Sequence, residues 1–141
     1  MRKTIAAFLF LLLVMVVCSI KVDAEETEPD GFWPLVYIVH AEANNQDLTG
    51  KKLVADVVLN RVHDPRFPNT IEGVIFQPYQ FSPIRDGSYE RAKTQWTQED
   101  YDAVVCELID QVDYDVLYFS AGGYLPYGTP AYKYGGHYFC R

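Results

Sequence analysis

A chain of 141 residues, 49% hydrophobic and 22% charged, can bury one core, and its formal charge of −7 excludes the basic footprint that a nucleic-acid partner demands. The acidic balance also removes any simple electrostatic grip on an anionic polymer. Such a substrate would have to be held by stacking and hydrogen bonds, for which the chain carries 11 Tyr.

The first element is an export signal. Arg2 and Lys3 precede an unbroken apolar run, Ile5 to Val17, and Val22-Asp23-Ala24 offers a small-residue cleavage site. The 13 residues of that run suit a secretory signal, whereas a spanning helix needs roughly 20. Cys18 follows Val17, where a lipoprotein signal would place a small residue. Cleavage after Ala24 is therefore expected, with an uncleaved membrane anchor as the alternative. Removing residues 1–24 takes away Arg2, Lys3, Lys21 and Asp23, leaving 117 residues with 9 basic and 18 acidic side chains, a formal charge of −9.

Residues 25–33 open as an acidic, turn-rich leader, Glu-Glu-Thr-Glu-Pro-Asp-Gly, and one domain is expected over 34–141. Pro34 suits the first turn of a helix running to about Ala43, which Asn44-Asn45-Gln46-Asp47 breaks. Asp47 or Thr49 can cap a second helix over roughly 49–62, with Leu53, Val54, Val57, Val58 and Val62 at helical spacing and Asp64-Pro65 ending it. A short third helix fits Thr70 to Phe76, with Asn69 or Thr70 as cap. Gln77 to Gln95 has no regular period and reads as a long functional loop. Thr97-Gln98-Glu99-Asp100 resembles a capping box, and Tyr101, Val104, Val105, Leu108, Ile109 and Val112 form a helical stripe that should face the core.

After that helix, Val116-Leu117-Tyr118-Phe119 and His137-Tyr138-Phe139-Cys140 are short β-prone runs that can pair antiparallel across a Gly/Tyr/Pro-rich loop, Ala121 to Gly136. No internal repeat is visible. The fold class is α+β, mainly helical, with a short β element at the end. Cys106 and Cys140 leave two states open in an exported chain, a disulfide or free thiols.

One carboxylate stands out. Glu42 is the only acid in the apolar run Leu35 to Ala43. A carboxyl pressed against an apolar helix face loses hydration, which raises its pKa and keeps a proton available near neutral pH. Breaking a glycosidic bond needs such a general acid; the alternative is a solvated glutamate at a helix end. Among second carboxylates, Asp56 reads as a buried partner of Arg61, Asp86-Gly87 as a turn, and Glu72 sits in a first helical turn. The histidines do not form a metal site. His40 and Glu42 are two apart and point about 200° from one another on a helix, whereas zinc favours i, i+4 spacing. His63 sits at a helix end and His137 in a strand. No metal and no cofactor is expected.

Several segments, in order, resemble the SleB/CwlJ family of cell-wall hydrolases, the spore-cortex-lytic type. They are Ala41-Glu42-Ala43, residues 54–62 with Leu59-Asn60-Arg61-Val62, residues 67–78 opening Phe67-Pro68-Asn69-Thr70, Gln80-Phe81-Ser82 with Asp86-Gly87, and Gly136-His137-Tyr138-Phe139. The resemblance implies a lysozyme-like, lytic-transglycosylase-like domain cutting the bond between N-acetylmuramic acid and N-acetylglucosamine in peptidoglycan glycan strands. It maps the family's catalytic glutamate onto Glu42. Ala41 replaces the family's usual glycine, Asn44-Asn45 replaces a stretch that often holds Arg and Gly, and Ser120-Ala121 stands where many relatives have Asn-Pro.

Glycosidases ordinarily use two carboxylates. Lytic transglycosylases, which relatives resemble, use one, and Glu42 is expected to serve as sole acid and base. Gln80 and Ser82 are candidates to hydrogen-bond sugar hydroxyl or acetamido groups. Tyr118 could orient Glu42 or bond the oxygen it protonates, and Phe81, Tyr124, Tyr127, Tyr132 and Tyr134 could stack on sugar rings. The alternatives are a hydrolytic muramidase with a second carboxylate, or a non-catalytic peptidoglycan binder on the same fold. The expected product is a secreted monomer acting at the cell wall or spore, touching membrane only if its signal segment is retained.

Overall fold

The computed structural model describes residues 28–141, so the expected signal segment and the start of the leader lie outside the described residues. Among the described residues six helices precede the strands, α1 (Phe32–Ala43), α2 (Leu48–His63), α3 (Ile71–Ile75), α4 (Pro83–Asp86), α5 (Ser88–Gln95) and α6 (Gln98–Ile109). Three strands follow, β1 (Tyr118–Ser120), β2 (Pro130–Tyr134) and β3 (His137–Cys140), in one antiparallel sheet of order β1-β3-β2. Among the described residues no helix is long and apolar enough to cross a membrane.

The α1 helix is the pillar of the core because its sequence is apolar on nearly every side. Phe32, Leu35, Val36, Ile38, Val39 and Ala43 are all buried, and the helix packs against α2, α3, α5 and α6. Each of these side chains except Ala43 contributes about 1.5–3 kcal/mol by leaving water. The helix starts two residues before Pro34, so Phe32 and Trp33 belong to the domain rather than to a solvated leader.

Next, α2 begins where Asp47 accepts a hydrogen bond from the Gly50 backbone N–H at 2.9 Å, which answers one of the orphan donors of its first turn. Its buried face mixes apolar residues with Lys51, Asp56, Asn60 and Arg61. The polar members staple the chain after α6 onto α2. Asn60 Nδ2 donates to the carbonyls of Asp113 (2.9 Å) and Val116 (2.8 Å), and Arg61 Nε donates to the carbonyl of Leu117 (2.7 Å). Adjacent side chains on one helix thus lead the chain into β1.

Asp56 is not the partner of Arg61. The two are five residues apart, which turns them to different helix faces, and Asp56 Oδ2 accepts instead from the Asp113 N–H at 2.9 Å. Burial, first, and the neighbouring Glu107 push its pKa up to about 8.

The capping box of α6 forms on its acidic half, with the Thr97 N–H donating to Asp100 Oδ2 at 2.7 Å. Only the first half of its expected stripe faces the core, where Val104 is buried and Tyr101 and Val105 pack against the cluster. Leu108, Ile109 and Val112 are 37%, 81% and 49% exposed, while Asp100, Ala103, Val104 and Glu107 are buried. Charge pairing sets the rotation of this helix. Lys51 Nζ lies 2.9 Å from Asp100 Oδ1 and Lys52 Nζ lies 3.1 Å from Glu107 Oε1, so the acids turn inward toward α2. A buried acid without its cation would cost several kcal/mol, more than an exposed Ile or Leu.

Two further expectations fail. The stretch 77–95 is not one loop, because Gly87 at φ 81° lets α4 turn directly into α5, whose Tyr89 and Ala92 are buried. The loop 121–136 contains β2, which completes the sheet on the far side of β3. The predicted pairing of the first and last runs is observed, with Tyr118 opposite Cys140 and Phe119 opposite Phe139. Phe139 joins Leu53, Val57 and Val116 in a second small core beneath the sheet. Cys106 and Cys140 are free thiols.

Candidate active site

Glu42 occupies the last turn of α1, one turn after Ile38 and Val39, and the backbone at Ala41 is helical, so alanine replaces glycine there without strain. Its carboxyl lines a cleft of about 290 Å³ between the α1 terminus, the segment 79–82 and β1. Burial pushes its pKa from an ordinary 4.5 to about 7, and the negative charge of Asp86 adds to the rise. At neutral pH about half of the molecules therefore hold a proton there.

Of the residues expected at the site, Gln80, Phe81, Ser82, Tyr118 and Tyr127 share the cleft with Glu42. Phe81 is only 3% exposed and belongs to the core, so it offers the cleft an edge rather than a stacking face. Tyr118 meets Tyr127 edge-on at 5.3 Å. Tyr124 does not line the cleft; it packs against Tyr138 at 5.1 Å. Tyr132 and Tyr134 do not line it either. Their hydroxyls donate to Asp113 Oδ2 at 2.8 Å and to Asp47 Oδ2 at 3.0 Å, because β2 directs the first to the segment after α6 and the second to the approach of α2.

Among the lining residues not proposed for the site from the sequence, three stand out. Arg61 is 5% exposed and sits among the rings of Phe67, Phe81 and Tyr118, 5.0 to 5.4 Å from their centroids. Its Nη1 donates to Gln80 Oε1 at 3.1 Å, so one guanidinium braces both the 79–82 segment and the approach to β1. Burial lowers its pKa to about 10, which still leaves it charged at neutral pH. Tyr79 is 82% exposed at φ 64°, a left-handed conformation that a bulky side chain rarely adopts. The third is His137, on β3. The lone Arg61 close behind the apolar Val57-Val58-Leu59 was the available signal for the first; His137 is set by contacts distant in sequence, and no pattern along the chain marks Tyr79.

The second-carboxylate candidates separate by environment. Asp86 is exposed, and hydrogen bonds from the Ser88 hydroxyl and N–H (2.8 Å for the latter) hold its pKa below the usual carboxylate range. Glu72 does not line the cleft and Asp56 lies under the α2–α6 contact. The other two histidines are engaged elsewhere, His40 Nδ1 with Asp100 Oδ2 and His63 Nδ1 with the Leu59 carbonyl, each at 2.8 Å. A larger hollow of about 490 Å³ lies beside Asn60, His63 and Tyr114. Its Asp64 is held down to about 2 by Arg66, the opposite of what an acid catalyst needs.

Comparison with known proteins bears on the family and the fold. A family described as Cell Wall Hydrolase matches residues 45–140, beginning just after Glu42. The chain is 32% identical over 114 residues to the spore cortex-lytic enzyme of Bacillus subtilis (strain 168), covering 76% of this chain and 36% of that protein. It is 45% identical over 49 residues to a spore cortex-lytic enzyme of Bacillus cereus, covering 35% of this chain and 19% of the relative. The chain thus spans little more than a third of the length of the first relative. Its fold matches the catalytic domain of the germination-specific lytic transglycosylase SleB from Bacillus anthracis with a TM-score of 0.69 at 25% identity, over 83% of this chain and 98% of that one. The catalytic domain of the Bacillus cereus SleB protein gives 0.69 at 27% identity, over 80% and 94%.

Proposed function

The chain belongs to the cell wall hydrolase family, and on that premise we propose that it cleaves the MurNAc–GlcNAc bonds of peptidoglycan outside the cytoplasm, as a lytic transglycosylase with Glu42 as sole acid and base. The observation that carries this reading is the raised pKa of about 7 at Glu42 on the wall of a cleft. Protonated Glu42 gives its proton to the bridging oxygen as the C1–O bond breaks. The resulting carboxylate takes the proton of the same sugar's C6 hydroxyl, whose oxygen bonds to C1 and closes a 1,6-anhydro ring. No water is consumed, and Glu42 ends the cycle protonated. A binding module gains nothing from a half-buried acid held near neutrality.

The glycan needs a platform and fixed hydrogen bonds. Tyr79 and Tyr127 supply exposed rings at the rim, while Gln80, braced by Arg61, and Ser82 supply polar groups beside Glu42. Tyr118 is half-buried on the same wall. Retention of a strained backbone at Tyr79 suits a residue that meets ligand.

A hydrolytic second reading draws on Asp86, which is ionised at neutral pH and close enough to act on Glu42, as a base for water would be. Mass spectrometry of products released from purified peptidoglycan separates the two. Anhydro-muropeptides support the transglycosylase, and reducing muramic ends support hydrolysis. Substantial cleavage by a folded Glu42→Gln protein would sink both.

A further inference from the structure

The acid–base reading leaves a buried polar side chain of the cleft unused. His137 opens β3 and is 6% exposed, its ring packed edge-on against Phe119 at 5.0 Å and against Phe139 at 6.1 Å. Its Nδ1 is sealed from solvent and has no hydrogen-bond partner among the described residues. Burying a polar ring nitrogen in that way is unfavourable, and each such atom in a folded protein calls for an explanation.

The fold nevertheless fixes His137 with care. The Gly136 N–H donates to Gln46 Oε1 at 2.9 Å, and the Tyr134 hydroxyl donates to Asp47 Oδ2 at 3.0 Å. Both acceptors belong to the loop that follows Glu42, so the β2–β3 turn is strapped to the end of the helix that carries the acid. Gly135, at φ 52°, has no room for a Cβ because the Gln46 amide fills that space. The strap therefore holds the imidazole on the wall of the Glu42 cleft.

The tautomer follows from burial. A buried N–H without an acceptor is rarer than a bare lone pair, which places the ring proton on Nε2. Burial also lowers the pKa of His137 below its ordinary value, so the ring is neutral at neutral pH. The other ionisable groups on this wall are Glu42, Arg61, Tyr79, Tyr118 and Tyr127.

We infer that His137 is a substrate-binding residue, its Nε2–H donating a hydrogen bond to a hydroxyl or acetamido oxygen of the glycan unit seated beside Glu42. The inference rests on the glycan-cleaving reading of the cleft and adds to it a contact that motif spacing did not point to. A neutral donor fits this place, since an imidazolium would oppose the positive charge that gathers on the sugar in an oxocarbenium-like transition state. The contact is made to ground and transition states alike, so it acts on KM.

His137→Phe keeps the packing against Phe119 and Phe139 and removes the N–H. KM for soluble glycan strands should rise about tenfold, the worth of one net hydrogen bond, with kcat within about twofold. His137→Gln, whose amide N–H reaches the Nε2 position, should recover most of that loss. In the Glu42→Gln protein, which leaves the strands intact, the His137 ring resonances should move in NMR spectra as strands are added. An unchanged KM in folded His137→Phe overturns the inference, as do ring resonances indifferent to strands that the protein binds, or a loss confined to kcat; Glu42's role survives all three. Failure of the unaltered protein to bind or cleave strands strikes the parent reading and takes this one with it.

Discussion

Replacing Glu42 by Gln tests the buried acid through folding, independently of any substrate. The folded-state pKa of about 7 lies above the ordinary 4.5, so the folded protein holds a proton there that the unfolded chain releases. Below pH 4.5 both states are protonated and nothing is lost. Between 4.5 and 7 the unfolded state gains from ionising while the folded state does not, and stability falls by 1.36 kcal/mol per unit, about 3 kcal/mol in all. Above 7 the loss is complete and constant. The Gln variant has no such group, so its stability relative to the unaltered protein should rise by about 3 kcal/mol from pH 4 to pH 8. Asp56, also pushed up to about 8 by burial and Glu107, titrates in both proteins and cancels in the difference. Urea denaturation at four pH values across that range measures the gap. A gap that does not change with pH would mean that the Glu42 carboxyl is as well solvated folded as unfolded, and the argument for a general acid would fall with it.

Asp86→Asn removes the charge that raises Glu42 while an amide oxygen can still accept the Ser88 N–H, so the alkaline limb of the pH–rate profile should move to lower pH; an unmoved limb contradicts the link. Arg61→Met loses the bonds to Leu117 and Gln80, and should lower unfolding stability by about 2–4 kcal/mol in urea titrations and glycan cleavage at least tenfold, with little recovery in Arg61→Lys. Ile109→Ser should stay within about 0.5 kcal/mol of the unaltered protein, whereas Val104→Ala should cost about 2 kcal/mol, since only Val104 is buried. Equal costs from the same thermal melts would restore the apolar stripe as the core face of α6.

What the sequence made legible was what neighbours along the chain decide. The cap at Asp47, the acidic half of the capping box at Asp100 and the isolated acid in the α1 run all depend on residues within one or two turns. The rotation of α6 does not, because Lys51 and Lys52 that draw its acids inward lie 49 and 55 residues upstream of them, and apolar periodicity ignores charge pairing. The fate of the tyrosines was invisible for the same reason. Tyr132 and Tyr134 were assigned to the glycan by composition, yet partners on distant segments bind their hydroxyls. The helix α5 was missed because only Tyr89 and Ala92 of its eight residues are buried, too few to make a period. Arg61 was read by proximity as a partner for Asp56, while its real acceptors lie 19 and 56 residues away at Gln80 and Leu117.

The strand order has a consequence in time. The strands β1 and β2 do not pair with each other; each finds its hydrogen bonds on β3, the latest of the nine elements among the described residues. Helices built from local contacts can form early, so Glu42 can stand on its helix well before the sheet exists. The wall that β1 and His137 give the cleft has to wait for residues 137–140 to emerge and insert between two earlier strands. A nascent or clipped chain that stops short of His137 therefore carries the acid of α1 without the cleft wall that faces it, and the site is complete only when β3 goes in.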